Sequence, residues 1–224
     1  MPTALKIDFV SDVSCPWCVI GLVALDQALE KVKSDITADI EFQPFELNPK
    51  MAAEGQEITE HITQKYGITA QQADANRENI RLRGAALGFT FATALDAGGR
   101  RSRIYNTFDA HRLQHWAATV SLPKQKALKE ALFTAYFTHG QSPGAHATLI
   151  AAAVSAGLDP VEAQAVLSSN RYAAEVREQE QLYHSQGINS VPAVIINGKH
   201  LISGGQPPEV FEQALRQIAA SEKA

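Results

Sequence analysis

The residues Leu5-Lys6-Ile7-Asp8-Phe9-Val10-Ser11-Asp12-Val13-Ser14-Cys15-Pro16-Trp17-Cys18 decide the fold. Leu5 to Val10 alternates apolar and polar side chains, the period of a half-buried strand. Ser11-Asp12-Val13-Ser14 breaks that strand. Pro16 is well placed to open a helix, because its missing N–H falls among the unpaired donors of a first turn. From Cys18 to Lys33, the residues Ile20, Val23, Ala24, Leu25, Ala28, Leu29 and Val32 form an apolar stripe of helical period. A second strand is predicted over Ala38–Phe45, with Ala38, Ile40 and Phe42 on one face and Pro44 closing it. The reading is β-α-β, with both cysteines at the strand-to-helix corner.

The far end of the chain has the complementary texture. Ala193-Val194-Ile195-Ile196 is a compact β run, and Asn197-Gly198 is a strong hairpin signal before Lys199–Ser203 returns. Gly204-Gly205 ends the hairpin. Pro207-Pro208 opens an amphipathic helix with Val210, Phe211, Leu215 and Ile218 on one face. Between these ends, from about Asn48 to Ser190, the sequence reads as helices. Ile58–Tyr66 stops at Gly67, and Thr69 with Gln72 forms a capping box for a helix running towards Gly84 or Gly88. A turn at Gly98-Gly99 precedes a stretch centred on Asn106–Val120. Ser121-Leu122-Pro123 starts a helix expected to reach Gly140, and His146–Gly157 is Ala-rich and helical. Asp159 caps a helix with Pro160 at its first position, and Arg171–Gln186 closes the block. No internal period repeats. The expected class is α/β: β-α-β … α-β-β-α interrupted by a large all-helical insertion. The boundaries are 1–47 and 187–224 for the strand-bearing domain and 48–186 for the insertion, with the helix at about 171–186 packing back on the former.

The 224 residues carry a net charge of −4, with 45% hydrophobic and 20% charged residues, enough apolar material for a sizeable core. A pI near 6.0 shows no basic excess, and nucleic acid is not an expected partner. The chain has no apolar run of membrane-spanning length. Its start carries only Lys6 before the first strand, without the charged region and cleavage site of a secretory signal, so a cytoplasmic location is expected.

There are two cysteines in all, too few for a disulfide framework. Three apart at a helix start, they can share one side of the first turn, close enough for a small disulfide ring. The first faces the unpaired N–H groups and the positive end of the helix dipole, which favour thiolate over thiol. The second sits deeper. That asymmetry suits thiol–disulfide exchange, in which one sulfur attacks and the other resolves the mixed disulfide. A zinc half-site would need two further ligands, and no other cysteine or tight histidine pair supplies them. Two buried structural cysteines are the bland alternative.

The segments around the corner resemble the DsbA-like thioredoxin superfamily, specifically its cytoplasmic FrnE-like branch of protein disulfide oxidoreductases. The resemblance runs from Asp8-Phe9-Val10-Ser11-Asp12 and Cys15-Pro16-Trp17-Cys18 through Pro44-Phe45-Glu46-Leu47-Asn48-Pro49. It continues with Asn106-Thr107-Phe108-Asp109-Ala110-His111-Arg112 and Val191-Pro192, and ends at Ser203-Gly204-Gly205-Gln206-Pro207. It implies a thioredoxin fold with a helical insertion, with Cys15 as nucleophile and Cys18 as resolving thiol. Pro16 and Trp17 would shape the loop, and Pro192 would be a cis-proline presenting the Val191 backbone to substrate. Trp17 stands where the periplasmic oxidants have histidine, so the resemblance does not carry their strongly oxidising potential. The same superfamily contains glutathione-dependent 2-hydroxychromene-2-carboxylate isomerases and kappa-class glutathione transferases. This likeness implies glutathione as a co-substrate with no tightly bound cofactor, Asn106 near the active thiol, and Gly205-Gln206 at the γ-glutamyl end. Disulfide-bearing proteins or small thiols are the implied partners, and the chain would act as a monomer or homodimer. A non-catalytic, chaperone-like peptide binder is a further reading.

Other residues have weaker readings. His111 lines the groove over Cys15 or is a packed core histidine. Arg100-Arg101 and Arg103 read as a solvated loop, and Phe108 and Trp116 as core. Ala151–Ala156 reads as close helix packing.

Overall fold

The computed structural model describes residues 2–92 and 102–222. The turn at Gly98-Gly99 and the pair Arg100-Arg101 lie outside the described residues. Strand β1 (Thr3–Ser11) leads into helix α1 (Pro16–Val32), which crosses over to β2 (Ile36–Pro44), parallel to β1 in the register Phe9↔Phe42. The chain returns as β5 (Ala193–Ile196), antiparallel to β1, and β6 (His200–Ser203), giving the order β2-β1-β5-β6. Asn197 and Gly198, both at positive φ, turn the hairpin between β5 and β6 as the right-handed strand twist requires. Helix α9 (Pro208–Ser221) then packs beside α1.

Side-chain alternation decides what each sheet face touches. Leu5, Ile7, Phe9, Val194 and Ile196 point to α1 and α9, meeting Val19, Leu22, Leu25, Phe211 and Leu215 in the main core. Val10 and Ala193 point to the opposite face and meet Tyr183 and Ile188. Tyr183 belongs to α8 (Ala173–Ser185), so this helix covers the second face.

Between β2 and β5 run α2 (Ile58–Tyr66), α3 (Ala70–Ala86), α4 (Phe108–Val120), α5 (Leu122–Phe133), α6 (His146–Ser155), α7 (Pro160–Leu167) and α8. The caps are those the sequence predicts. Thr69 and Gln72 make the reciprocal capping box, and Asp159 accepts from the N–H groups of Val161 and Glu162. Small side chains let α6 approach its neighbours closely, with Ala152, Ala153 and Ala156 buried against Leu128 and Val166.

Two features depart from the sequence reading. The segment is not wholly helical: β3 (Gln56–Glu57) and β4 (Arg103–Ile104) pair antiparallel, too short to leave a periodic signature. Arg103 accordingly lies in a strand and donates to the carbonyls of Glu54 and Gly55, instead of waving in a solvated loop. The helix from Leu122 also changes character before Gly140. After Phe133 it passes into a π-helical turn, Thr134–Thr138, where His139 N–H reaches back to Thr134. Among the described residues, no helix is long and apolar enough to cross a membrane.

Candidate active site

Cys15 is the N-cap residue of α1, with Pro16 at the first helical position. Among the described residues, no side chain caps the first-turn N–H groups of α1, and Cys18 N–H donates to the Cys15 carbonyl oxygen. The loop is tied down from below by Asp12. One Asp12 oxygen accepts from Ser14 N–H at 3.0 Å, and the other accepts from Leu47 N–H at 2.7 Å, joining the β1 and β2 ends. Burial pushes the Asp12 carboxyl up, yet His111 at 3.8 Å and the two N–H groups win and hold it below the ordinary carboxylate value. His111 Nε2 is itself buried with no hydrogen-bond partner among the described residues, since 3.8 Å is too long for one.

The two sulfurs have different surroundings. Cys15 is only 3% exposed, less than the sequence reading expects of an attacking thiol, and what it exposes lines a cleft. Cys18 is 0% exposed and lies in the main core. Burial pushes the Cys18 thiol well up, and Cys15 adds to this, while the Lys129 charge works the other way. Both are free thiols. The Val191–Pro192 bond is cis, and the Val191 carbonyl oxygen accepts from Cys15 Sγ at 3.6 Å. Gly21 on α1 allows Pro192 to sit this close, since a Cβ there would stand 3.0 Å from Pro192 Cγ.

The cleft in front of Cys15 has a volume of about 1310 Å³. Trp17, Tyr66, Phe91, Tyr105 and Phe137 give it an aromatic lining, and α2 and α3 form the wall across from the cysteines. Arg83 lies over the Trp17 ring at 5.1 Å. Lys65, Arg77, Arg81 and Arg103 add cationic groups to the lining. Lys65 donates to the Leu47 carbonyl and to Asn48 Oδ1. Burial lowers its pKa, with Asp12 and Cys15 pulling the other way, so its charge is felt at the cysteine corner.

The structure brings Cys15, Pro16, Trp17 and Val191 together on this cleft. Four other sequence candidates stand elsewhere. Asn106 donates to Glu46 and accepts from Phe108 N–H, so its amide is committed to supporting the start of α4. His111 is buried behind Asp12 and faces a small rear cavity. Gly205 packs under Trp17, where a Cβ would come within 2.9 Å of the Trp17 carbonyl oxygen. Gln206 donates to Ser203 within its own turn. These positions support the loops that carry the cleft residues.

Sequence reading missed Asp12, Lys129 and the Glu46–Arg177–Glu180 cluster. Arg177 pairs with buried Glu46 and with Glu180, whose other oxygen accepts from Glu46 N–H. Burial raises the Glu46 pKa against the pull of Arg177. Lys129 had a legible signal: it lies in the buried helical stripe Gln125, Leu128, Lys129, Leu132, Phe133 of α5, where a lysine is out of place. It is 1% exposed, with its ammonium over the rings of Phe133 at 5.3 Å and Phe42 at 5.7 Å. Burial lowers its pKa to about 8, opposed by Cys18, Asp12 and Cys15. Among the described residues, no cluster of three or more metal-ligating side chains occurs.

Comparison with known proteins gives the family and the fold. The profile of the DSBA-like thioredoxin domain matches residues 6–216. A probable DsbA oxidoreductase from Streptomyces coelicolor is 33% identical and superposes with a TM-score of 0.87, over 98% of this chain and 92% of that one. Two more distant structures share the fold alone. A 2-hydroxychromene-2-carboxylate isomerase is 17% identical with a TM-score of 0.67, covering 97% of this chain and 98% of that one. The cytosolic disulfide reductase DsbM from Pseudomonas aeruginosa, solved with GSH, is 14% identical with a TM-score of 0.65, over 95% and 98% of the two chains.

Proposed function

The chain belongs to the DSBA-like thioredoxin domain family, and on that premise we propose that it is a thiol–disulfide oxidoreductase working through Cys15 and Cys18. The observation that carries this reading is the unequal placement of the pair: Cys15 borders the cleft, and Cys18 is enclosed behind it. In the reducing direction the Cys15 thiolate bonds to one substrate sulfur, and the substrate S–S bond breaks, releasing the other sulfur as a thiolate. Cys18 then loses its proton and attacks Cys15. The Cys15–Cys18 disulfide forms, the second substrate sulfur leaves, and two electrons have passed to the substrate. The reverse sequence oxidises a dithiol. Val191, with its carbonyl beside Cys15, is the backbone group against which an extended ligand pairs.

The substrate is a protein or small-molecule disulfide, with glutathione as the co-substrate that restores the dithiol. Lys65 and Arg103, beside Arg77 and Arg81 that are already paired to Asp74 and Glu78, suit the carboxylates of such a tripeptide, and the structural likeness to a reductase solved with GSH agrees. A cytoplasmic setting fits a chain whose cysteines are all in one exchange centre.

The aromatic lining favours one second reading, a glutathione-dependent isomerase or transferase acting on a small aromatic molecule. The two readings part at Cys18. Exposed to oxidised glutathione, Cys18→Ser is expected to stall with one glutathione on Cys15, read by mass spectrometry, and to lose multiple turnover. Full turnover in that variant supports the isomerase-type reading. Disulfide reduction by Cys15→Ser at the wild-type rate overturns the assignment of the nucleophile.

A further inference from the structure

Lys129 takes no part in the exchange steps above, yet it lies in the same core as the resolving sulfur. Phe42 and Phe133, whose rings its ammonium overlies, share that core with Cys18. Its isolation is unusual even within this molecule. The buried Arg112 donates to the carbonyls of Val166, Ser169 and Arg171 and pairs with Asp109. Lys126, one turn away, pairs with Asp26 and Glu130. No carboxylate stands within salt-bridge distance of Lys129 among the described residues. A buried cation left without an anion weakens the folded state, and aromatic faces offset only part of that.

We infer that Lys129 is a positioning residue of the redox pair, its charge in the core stabilising Cys18 as a thiolate when that sulfur attacks, or leaves, Cys15. The inference rests on the reading of Cys15 and Cys18 as the redox centre, and it assigns the resolving step to a residue of the helical segment. The bookkeeping is that of the resolving step: the Cys18 S–H bond breaks and its proton passes to water. The thiolate bonds to Cys15, and the substrate sulfur leaves with the electron pair. A rear cavity of about 180 Å³ between β2, α4, α5 and α8 is lined by Lys129, Gln125, His111 and Gln179.

The field between the two groups runs both ways: Lys129 favours the Cys18 thiolate, and Cys18 favours the Lys129 ammonium. Other charged or titratable groups face this region from several elements. Asp12 follows β1, Cys15 lies at the start of α1, His111 and His115 belong to α4, and Glu41 belongs to β2. Asp12 is the carboxylate whose field reaches Lys129, but its oxygens already accept from Ser14 and Leu47 and face His111. Glu41 pairs with Lys6. Neither is a dedicated counter-ion.

The test compares wild type with K129M, K129Q and K129R, mixing each reduced protein with oxidised glutathione and following first attack and resolution separately. K129M exchanges the cation for an apolar side chain of similar length and is expected to fold, and K129Q supplies a second neutral variant. In both, resolution is expected to slow about tenfold at neutral pH, with the pH of half-maximal resolution moving upward. The glutathione equilibrium at neutral pH should change little, because burial keeps Cys18 a neutral thiol in the reduced protein and Lys129 acts on a thiolate formed only during the step. K129R, which keeps the charge, is expected to restore most of the rate. Wild-type resolution with an unchanged pH profile in both neutral variants overturns the role of Lys129 alone. Absence of any exchange by the wild-type chain overturns the reading of the pair, and this inference with it.

Discussion

Replacing Lys129 by Met is expected to make the protein more stable at neutral pH, and the gain can be worked from the site. Burial takes the Lys129 pKa from 10.5 to about 8. At about 1.4 kcal/mol per tenfold, the protonated side chain is thus roughly 3 kcal/mol less favourable in the folded chain than in the unfolded one. The two ring contacts, at 5.3 and 5.7 Å, return about 0.5–1 kcal/mol each. Lys129→Met removes both effects, leaving a net gain of about 1–2 kcal/mol, or roughly 2–8 °C in Tm for a chain of this size. The sign depends on pH in a defined way. Below pH 8 Lys129 is protonated in both states, and the penalty on the wild type is present in full. As pH rises through 8 the folded chain releases the proton, while the unfolded chain holds it until about 10.5. The advantage of the variant therefore fades over that window. Urea unfolding of the reduced proteins at pH 7, 9 and 10.5 measures it. A variant less stable than wild type at pH 7, or a gain that does not change with pH, would refute the electrostatic account of this position.

Three further substitutions follow from the same geometry. Asp12→Ala leaves the Ser14 and Leu47 N–H groups without their acceptor, and the loss is expected at about 2–4 kcal/mol in urea unfolding. Because the folded Asp12 pKa lies below its ordinary 3.8, its electrostatic contribution is complete above that value. That part should disappear as pH falls through the folded value, visible in the onset of acid unfolding. Arg177→Ala removes the cation shared by Glu46 and Glu180, which keep Asn106 and the Glu46 N–H as donors; with Arg177 half-exposed the cost is expected to be about 1–2 kcal/mol by the same assay, relieved as acid protonates Glu46. Gly205→Ala drives a Cβ to 2.9 Å from the Trp17 carbonyl oxygen. A loss of about 1–3 kcal/mol, with a shifted Trp emission, is the expected result; unchanged emission and stability would show that the loop yields freely.

What the sequence determined was local. The alternation of Leu5, Ile7 and Phe9, the stripe following Cys18, the Thr69–Gln72 and Asp159 caps, and the Asn197-Gly198 turn each act within a few residues. The elements appear where those signals stand. The spacing of Cys15 and Cys18 at a helix start belongs to the same class, because one turn of helix fixes it. The tertiary structure decided which polar groups meet. Asp12 finds Leu47 and His111, Glu46 finds Arg177 and Glu180, and Gln125 bridges to both backbone groups of Phe42 across 83 positions of chain. Those partners come from elements whose separate patterns say only that one face is buried. A two-residue pairing such as β3 with β4 is too short to show a period at all. Lys129 shows the division most sharply. The stripe on α5 places it inside, but only the packing of α5 against β2 sets its charge over Phe42 and Phe133, in the core that also holds Cys18. Periodicity reports how a chain meets solvent, whereas the electrostatics of a buried site depend on distances between segments that sequence order does not contain.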